Sequence, residues 1–128
     1  MKFLMDTHVF LWMNFENEKL SKTFTTLGQS GEHEFFLSMA SAWEMQIKHQ
    51  LGKLPLSMPI EELINTNQQA SAINLLNIKL PHITQLNNLA MHHKDPFDRL
   101  IIAQAITENM HIISVDQHFK NYPVEVVW

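Results

Sequence analysis

Cysteine is absent from this chain of 128 residues, which excludes disulfides, thiolate zinc sites and cysteine nucleophiles. Glycine occurs only three times, at Gly28, Gly31 and Gly52. These form no phosphate-cradling loop, which disfavours a nucleotide-binding enzyme. No apolar stretch approaches the roughly 18 residues needed to span a bilayer. Neither a basic n-region nor an apolar h-region opens the chain, so no signal peptide is expected, and a soluble cytoplasmic protein is the default. Positive charge is scarce as well: 9 Lys and Arg stand against 13 Asp and Glu, a formal net charge of −4. Such a chain exerts no long-range attraction on nucleic acid. A phosphate-bearing substrate would need a bound metal or a local basic patch.

What remains is ordinary for a folded chain. Hydrophobic residues make up 45% and charged residues 17%, values that argue against disorder. The length predicts a single domain over 1–128 with a real core, and there is no repeat, low-complexity segment or linker. Short, continuous apolar runs lie at Phe3–Met5, Phe35–Leu37, Leu75–Ile78 (the weakest), Ile112–Val115 and Val124–Val127. Continuous rather than alternating runs predict strands covered on both faces, as in a parallel sheet. Helical patterns fall between them at His8–Met13, Lys22–Gln29, Ser41–Leu51, Ile60–Ala70, His82–His92 and Arg99–Asn109. Prolines 59, 81 and 96 suit first helical turns; Gly52 and Asn109 suit helix stops. The alternation predicts an α/β fold, a three-layer α/β/α sandwich around a central, mainly parallel sheet of about five strands.

Aspartate is as scarce as glycine. There are four: Asp6, Asp95, Asp98 and Asp116. Asp6 ends the first run, Asp116 ends the fourth, and Asp98 opens the helix that feeds the fourth. Function in open parallel sheets collects beyond the carboxyl ends of the strands, where strand order reverses. If the first and fourth runs are neighbours, Asp6 and Asp116 stand side by side there, with Asp98 leaning in. Glu44, one turn into the helix after the second strand, is the natural fourth member. Each acid alone has a plain structural explanation. Asp6 suits a helix cap, Ser41-Ala42-Trp43-Glu44 fits a capping box, Asp98 favours a helix dipole, and Asp116 suits a turn. Together they point elsewhere. Two unit charges about 4 Å apart repel by roughly 4 kcal/mol at an effective dielectric near 20, a sizeable share of a domain stability of about 5–15 kcal/mol. Converging carboxylates need protonation or a cation, and oxygen-only ligands point to magnesium or manganese.

Other candidates rank lower. His92 and His93, near a predicted helix end, suit the dipole better than a metal; His8, His111 and His118 show no zinc spacing. Thr7 and Ser114 flank the acids and suit the orienting of water or phosphate, although Ser114 reads first as strand filler. Arg99, the sole arginine, is expected to pair with Asp98. Trp12, Trp43 and the methionines are expected in the core.

The blocks Leu4-Met5-Asp6-Thr7-His8, Ser38 to Glu44, His93 to Ala105 and Ser114-Val115-Asp116 match, in order, the signatures of PIN-domain ribonucleases. The chain resembles most closely the VapC-type toxins of bacterial toxin–antitoxin pairs, over nearly its whole length. Each block alone is weak; four in register are specific. The resemblance implies that Asp6, Glu44, Asp98 and Asp116 are the catalytic and metal-binding quartet, with Thr7 the hydroxyl after the first acid. Ser114-Val115-Asp116 replaces a common Thr-x-Asp and keeps the hydroxyl. Asp95 belongs to the subgroup's extended motif and ranks first as a helix cap. The implied activity is Mg- or Mn-dependent cleavage of RNA phosphodiester bonds, at a restricted site in an RNA such as tRNA or rRNA. The implied partners are a second copy of the chain and an antitoxin whose C-terminal segment crosses the active-site groove, for which Phe10, Trp12 and Trp43 are candidate contacts.

Three other functions compete. A haloacid-dehalogenase-type phosphotransferase needs Asp-x-Asp after strand one, and position 8 is His8. A response-regulator receiver needs an acceptor Asp after its third strand, and no aspartate lies between Asp6 and Asp95. A catalytically inactive PIN fold serving as a binding module is the remaining alternative, and the intact quartet speaks against it.

Overall fold

A computed structural model describes residues 1–128. Five strands, β1 (Lys2–Met5), β2 (Glu34–Ser38), β3 (Ile73–Leu76), β4 (His111–Ile113) and β5 (Val126–Val127), form one sheet in the order β3-β2-β1-β4-β5. Every pairing is parallel. Six helices lie between strands: α1 (Thr7–Phe15), α2 (Lys22–Gln29), α3 (Met39–Gln50), α4 (Ile60–Ala70), α5 (Leu80–Gln85) and α6 (Pro96–Glu108).

The strands are apolar on both faces, and alternate residues serve different layers. Phe3 and Met5 of β1 pack with Val9, Phe10, Phe24, Met45 and Leu63 on one side of the sheet. Leu4, between them, packs with Ile101, Ile102, Ala105 and Phe119 on the other. Two cores separated by one sheet make the expected three-layer α/β/α sandwich, with an all-parallel sheet. β1 pairs with β2 on one side and β4 on the other, Met5 opposite both Leu37 and Ile113. Chain order therefore reverses beside β1.

Several elements differ from the sequence expectation for identifiable reasons. The third strand is Ile73–Leu76, two residues earlier than the apolar run suggests. The helix expected over 82–92 ends at Gln85, followed by a short 3-10 turn, Leu86–Asn88. Leu89 is then drawn into the core, and Ala90 gives its carbonyl to Arg99. β4 stops at Ile113, because the Ser114 hydroxyl accepts the Asp116 amide at 3.0 Å and turns the chain. β5 begins only at Val126. Pro123 has no amide to donate, and the Val124 amide closes a tight turn on the Tyr122 carbonyl at 2.7 Å. Trp43 is not core: it is 59% exposed, and Met1, Met39 and Met91 are exposed too.

Candidate metal centre

The carboxyl edge of β1 is the centre of the site. The Asp6 amide donates to the Ile113 carbonyl of β4 at 2.9 Å, carrying the strand pairing one residue past β1. Asp6 is 4% exposed. It occupies the cap position of α1, yet its side chain makes no capping bond, so helix capping does not explain the acid. Its Oδ2 accepts from the Ser114 hydroxyl at 2.8 Å. That hydroxyl in turn accepts the Asp116 amide, so one serine ties the ends of β1 and β4 together. Ser114, expected as filler, is a bridge.

Glu44 reaches the site from α3, which begins directly where β2 ends. Ser38 caps this helix, accepting the Ala40 amide at 3.0 Å, so the capping box expected at Ser41 is not formed. Glu44 lies in the second turn, 4% exposed. Its Oε1 accepts from the Thr7 hydroxyl at 2.9 Å, and its Oε2 is 2.7 Å from Lys48 Nζ. Thr7 thus links Glu44 to the residue after Asp6. Asp98 lies in the first turn of α6, whose cap is Asp95: Oδ1 of Asp95 accepts the amides of Phe97 and Asp98 at 2.8 and 3.3 Å. Asp116 caps a 3-10 turn, Gln117–Asn121, by accepting the His118 amide at 2.9 Å.

Burial, then the charges of Asp6, Asp95, Glu44 and Asp116, push the Asp98 carboxyl up to about 8. Asp98 thus feels the charge of the other three sequence-predicted acids and of Asp95, while the ligand-type atoms that come within 4.8 Å of one another are those of His93, Asp98 and Asp116. Burial works to raise Asp116 too, but hydrogen bonds from the His118 amide and ring and from His93 outweigh it, holding this carboxyl below its ordinary value. The Asp6 carboxylate lifts the His8 imidazole above its ordinary value, against the effect of burial. At 3.9 Å that pair is a charge contact rather than a hydrogen bond. Glu44 raises Lys48.

Two residues behave differently from expectation and one was overlooked. Arg99 does not pair with Asp98; its Nη1 donates to the Ala90 carbonyl at 2.9 Å and lies 3.4 Å from the Tyr122 hydroxyl. His93 is no helix-end residue: its Nε2 is 3.0 Å from Asp98 Oδ2 and 3.5 Å from Asp116 Oδ2. Adjacent histidines without metal spacing carry no signal that would have found it. Lys48 was overlooked, although its i, i+4 spacing from Glu44 is visible in the chain.

Carboxylates with the Ser114 and Thr7 hydroxyls behind Asp6 and Glu44, and no thiolate, are hard oxygen donors. Their chemistry fits a small divalent cation, and a charge of +2 there would offset the repulsion that adds to burial in raising Asp98.

An all-parallel α/β/α sandwich with clustered acids where strand order reverses defines a class of acid-centred α/β proteins. The family model of the PIN domain matches residues 3–125, and the chain belongs to that family; PIN domains are generally nucleases. No curated protein matches the chain. Among solved structures it is similar to VapBC2 from Rickettsia felis, bound to a promoter DNA fragment, with TM-score 0.76 at 12% identity over 99% of this chain and 98% of that one. It is similar to DNA-bound VapBC from Salmonella typhimurium, with TM-score 0.68 at 12% identity over 99% and 97%. A toxin–antitoxin complex from Klebsiella pneumoniae gives 0.62 at 17% identity over 98% and 95%. At these identities the likeness is one of fold.

Proposed function

We propose that the chain is a metal-dependent ribonuclease and the toxin of a bacterial toxin–antitoxin pair, with Asp6, Glu44, Asp98 and Asp116 as its acidic site. The observation that carries this reading is Asp98, a carboxyl pushed up to about 8 with three other acids of the site among the causes. In that field it ionises fully at neutral pH only with a cation beside it. Asp6 and Asp98 would hold magnesium or manganese, with Glu44 and Asp116 holding a second ion, ordering waters or acting as base. The ion, when bound, polarises the phosphate and acidifies a bound water.

The chain's own groups support this chemistry. Ser114 and Thr7 each fix one oxygen of an acid, at Asp6 and Glu44, which limits carboxylate rotation. Both hydroxyls are buried beneath the acids, so direct attack by water is the simpler route. Lys48 brings a cation beside Glu44 in a chain of net charge −4, and so offers local attraction to an RNA phosphate. The substrate is RNA, of the tRNA or rRNA class, cleaved in the cytoplasm.

A groove of about 270 Å³ runs beside the site, lined by His8, Leu11, Trp12, Phe15, Leu54 and Leu56 among others. His8 joins it to Asp6. Its apolar floor suits the antitoxin segment, and the similarity to a toxin–antitoxin complex supports such a partner. Trp12 belongs to this groove; Phe10 is fully buried in the core, and Trp43 packs edge-on against Phe97.

The test is to map new RNA 5′ ends in cells briefly expressing the protein. Wild type is expected to create a few strong ends that an Asp6→Asn variant, made at equal level, does not. Identical ends from both would overturn the reading.

A further inference from the structure

His93 faces two acids of the site from outside the quartet. Its ring, Asp98 and Asp116 each bring one ligand-type atom within 4.8 Å of the others, an arrangement that invites a nitrogen ligand beside two carboxylates. The other ring nitrogen decides against that. The Asp95 backbone amide donates to His93 Nδ1 at 3.2 Å, and an amide N–H cannot accept. Nδ1 is therefore bare and the ring hydrogen sits on Nε2, the nitrogen 3.0 Å from Asp98 Oδ2 and 3.5 Å from Asp116 Oδ2. An Nε2 that carries hydrogen has no lone pair to give a cation.

The segment carrying this ring is held from several sides. The His93 amide donates to the Tyr122 hydroxyl at 2.8 Å, and that hydroxyl donates to the Ala90 carbonyl at 2.8 Å. Arg99 donates to the same Ala90 carbonyl and approaches the His93 carbonyl at 3.5 Å. The ring lies edge-on to His118 and tilted on Phe119. The sole arginine and the sole tyrosine of the chain thus hold the backbone that carries this imidazole.

We propose that His93 is a positioning residue: its Nε2–H holds the carboxylates of Asp98 and Asp116 in place and stays outside the coordination of the ion. The inference rests on the metal-centred reading above and names a residue beyond the quartet. Hydrogen bonds to ligating side chains fix their orientation, and losing one costs about 10- to 100-fold in metal affinity.

Two measurements on the full chain test it. Long-range ¹H–¹⁵N spectra of the imidazoles, with His93 identified by its loss in His93→Gln, report the tautomer without metal and with Mg²⁺. The expected result is a hydrogen on Nε2 in both. Calorimetric titration then compares Mg²⁺ and Mn²⁺ binding to wild type, His93→Ala and His93→Gln. The alanine variant is expected to lose about 10- to 100-fold in affinity for both ions alike, and glutamine, which keeps an N–H donor, to recover most of it. A bare Nε2 in the Mg²⁺ form, or a loss for Mn²⁺ far exceeding that for Mg²⁺, identifies a nitrogen ligand and overturns the proposal, as does an unchanged affinity in His93→Ala. A wild type that binds neither ion overturns the metal-centred reading instead, and a hydrogen on Nδ1 in the metal-free spectrum then overturns this one.

Discussion

Asp98 makes the residue-scale account testable through pH. Its folded value of about 8 lies above the ordinary 3.8, so the folded state binds the proton more tightly than the unfolded chain does. Unfolding free energy contributed by this group is then fully present below about pH 4, falls as pH rises, and is lost by about pH 8. His8, also raised, adds a decline of the same sign, so the comparison must be with a variant. Asp116 is lowered and acts in the opposite sense, below about pH 4. Chemical denaturation without metal is expected to show a decline between pH 4 and 8 in wild type that is shallower in Asp98→Asn; parallel profiles would contradict the account. Asp6 and Asp116 were legible at this scale because a scarce residue at the end of a parallel strand has few places to point. His93 was not, since its role depends on the fold of residues 89–95, where no period speaks.

At the scale of elements, the caps and one buried polar strut set where the acids stand. Asp95 is the cap of α6, and Asp95→Ala should cost about 0.5–2 kcal/mol while leaving the response to metal intact. A lost metal response in that variant would move Asp95 into the site. Gln104 of α6 accepts from the Ser38 hydroxyl, at the β2–α3 junction, and its amide reaches the Asn77 carbonyl at 3.3 Å. It lies 3.3 Å from His82 Nδ1, whose ring is buried and 2.7 Å from Glu108. The strut joins the helix bearing Asp98 to the helix bearing Glu44. Replacing Gln104 by Leu leaves the Ser38 hydroxyl without its acceptor and is expected to destabilise by about 1–3 kcal/mol; urea denaturation showing no loss would contradict this. Strands and most helices were legible from runs of apolar residues and from prolines at first turns. The strut was not, because Gln104 sits in an apolar helical stretch whose period says only that it is buried. The end of α5 was missed because tertiary bonds to Arg99, not local propensity, end the helical path.

The whole molecule is acidic, has an apolar groove beside its acids, and carries exposed Met39 and Trp43 one turn apart on α3. A homodimer is expected in light scattering, together with growth arrest on expression that a co-encoded antitoxin relieves. A strictly monomeric protein that no small partner inhibits would remove the toxin proposal and leave the nuclease one standing. The central claim is that the four acids exist to hold a divalent cation, and thermal unfolding with and without manganese tests it most directly. A ligand bound only by the native state stabilises by about 2.7 kcal/mol at a hundredfold excess over its Kd. Manganese in the millimolar range should therefore raise the melting temperature of wild type, and magnesium should raise it less. Asp6→Asn and Asp98→Asn should melt at or above the metal-free wild type, with a reduced response to either ion. A wild type indifferent to manganese, beside an Asp98→Asn variant that is less stable than it, would contradict the claim and leave these acids with structural roles only.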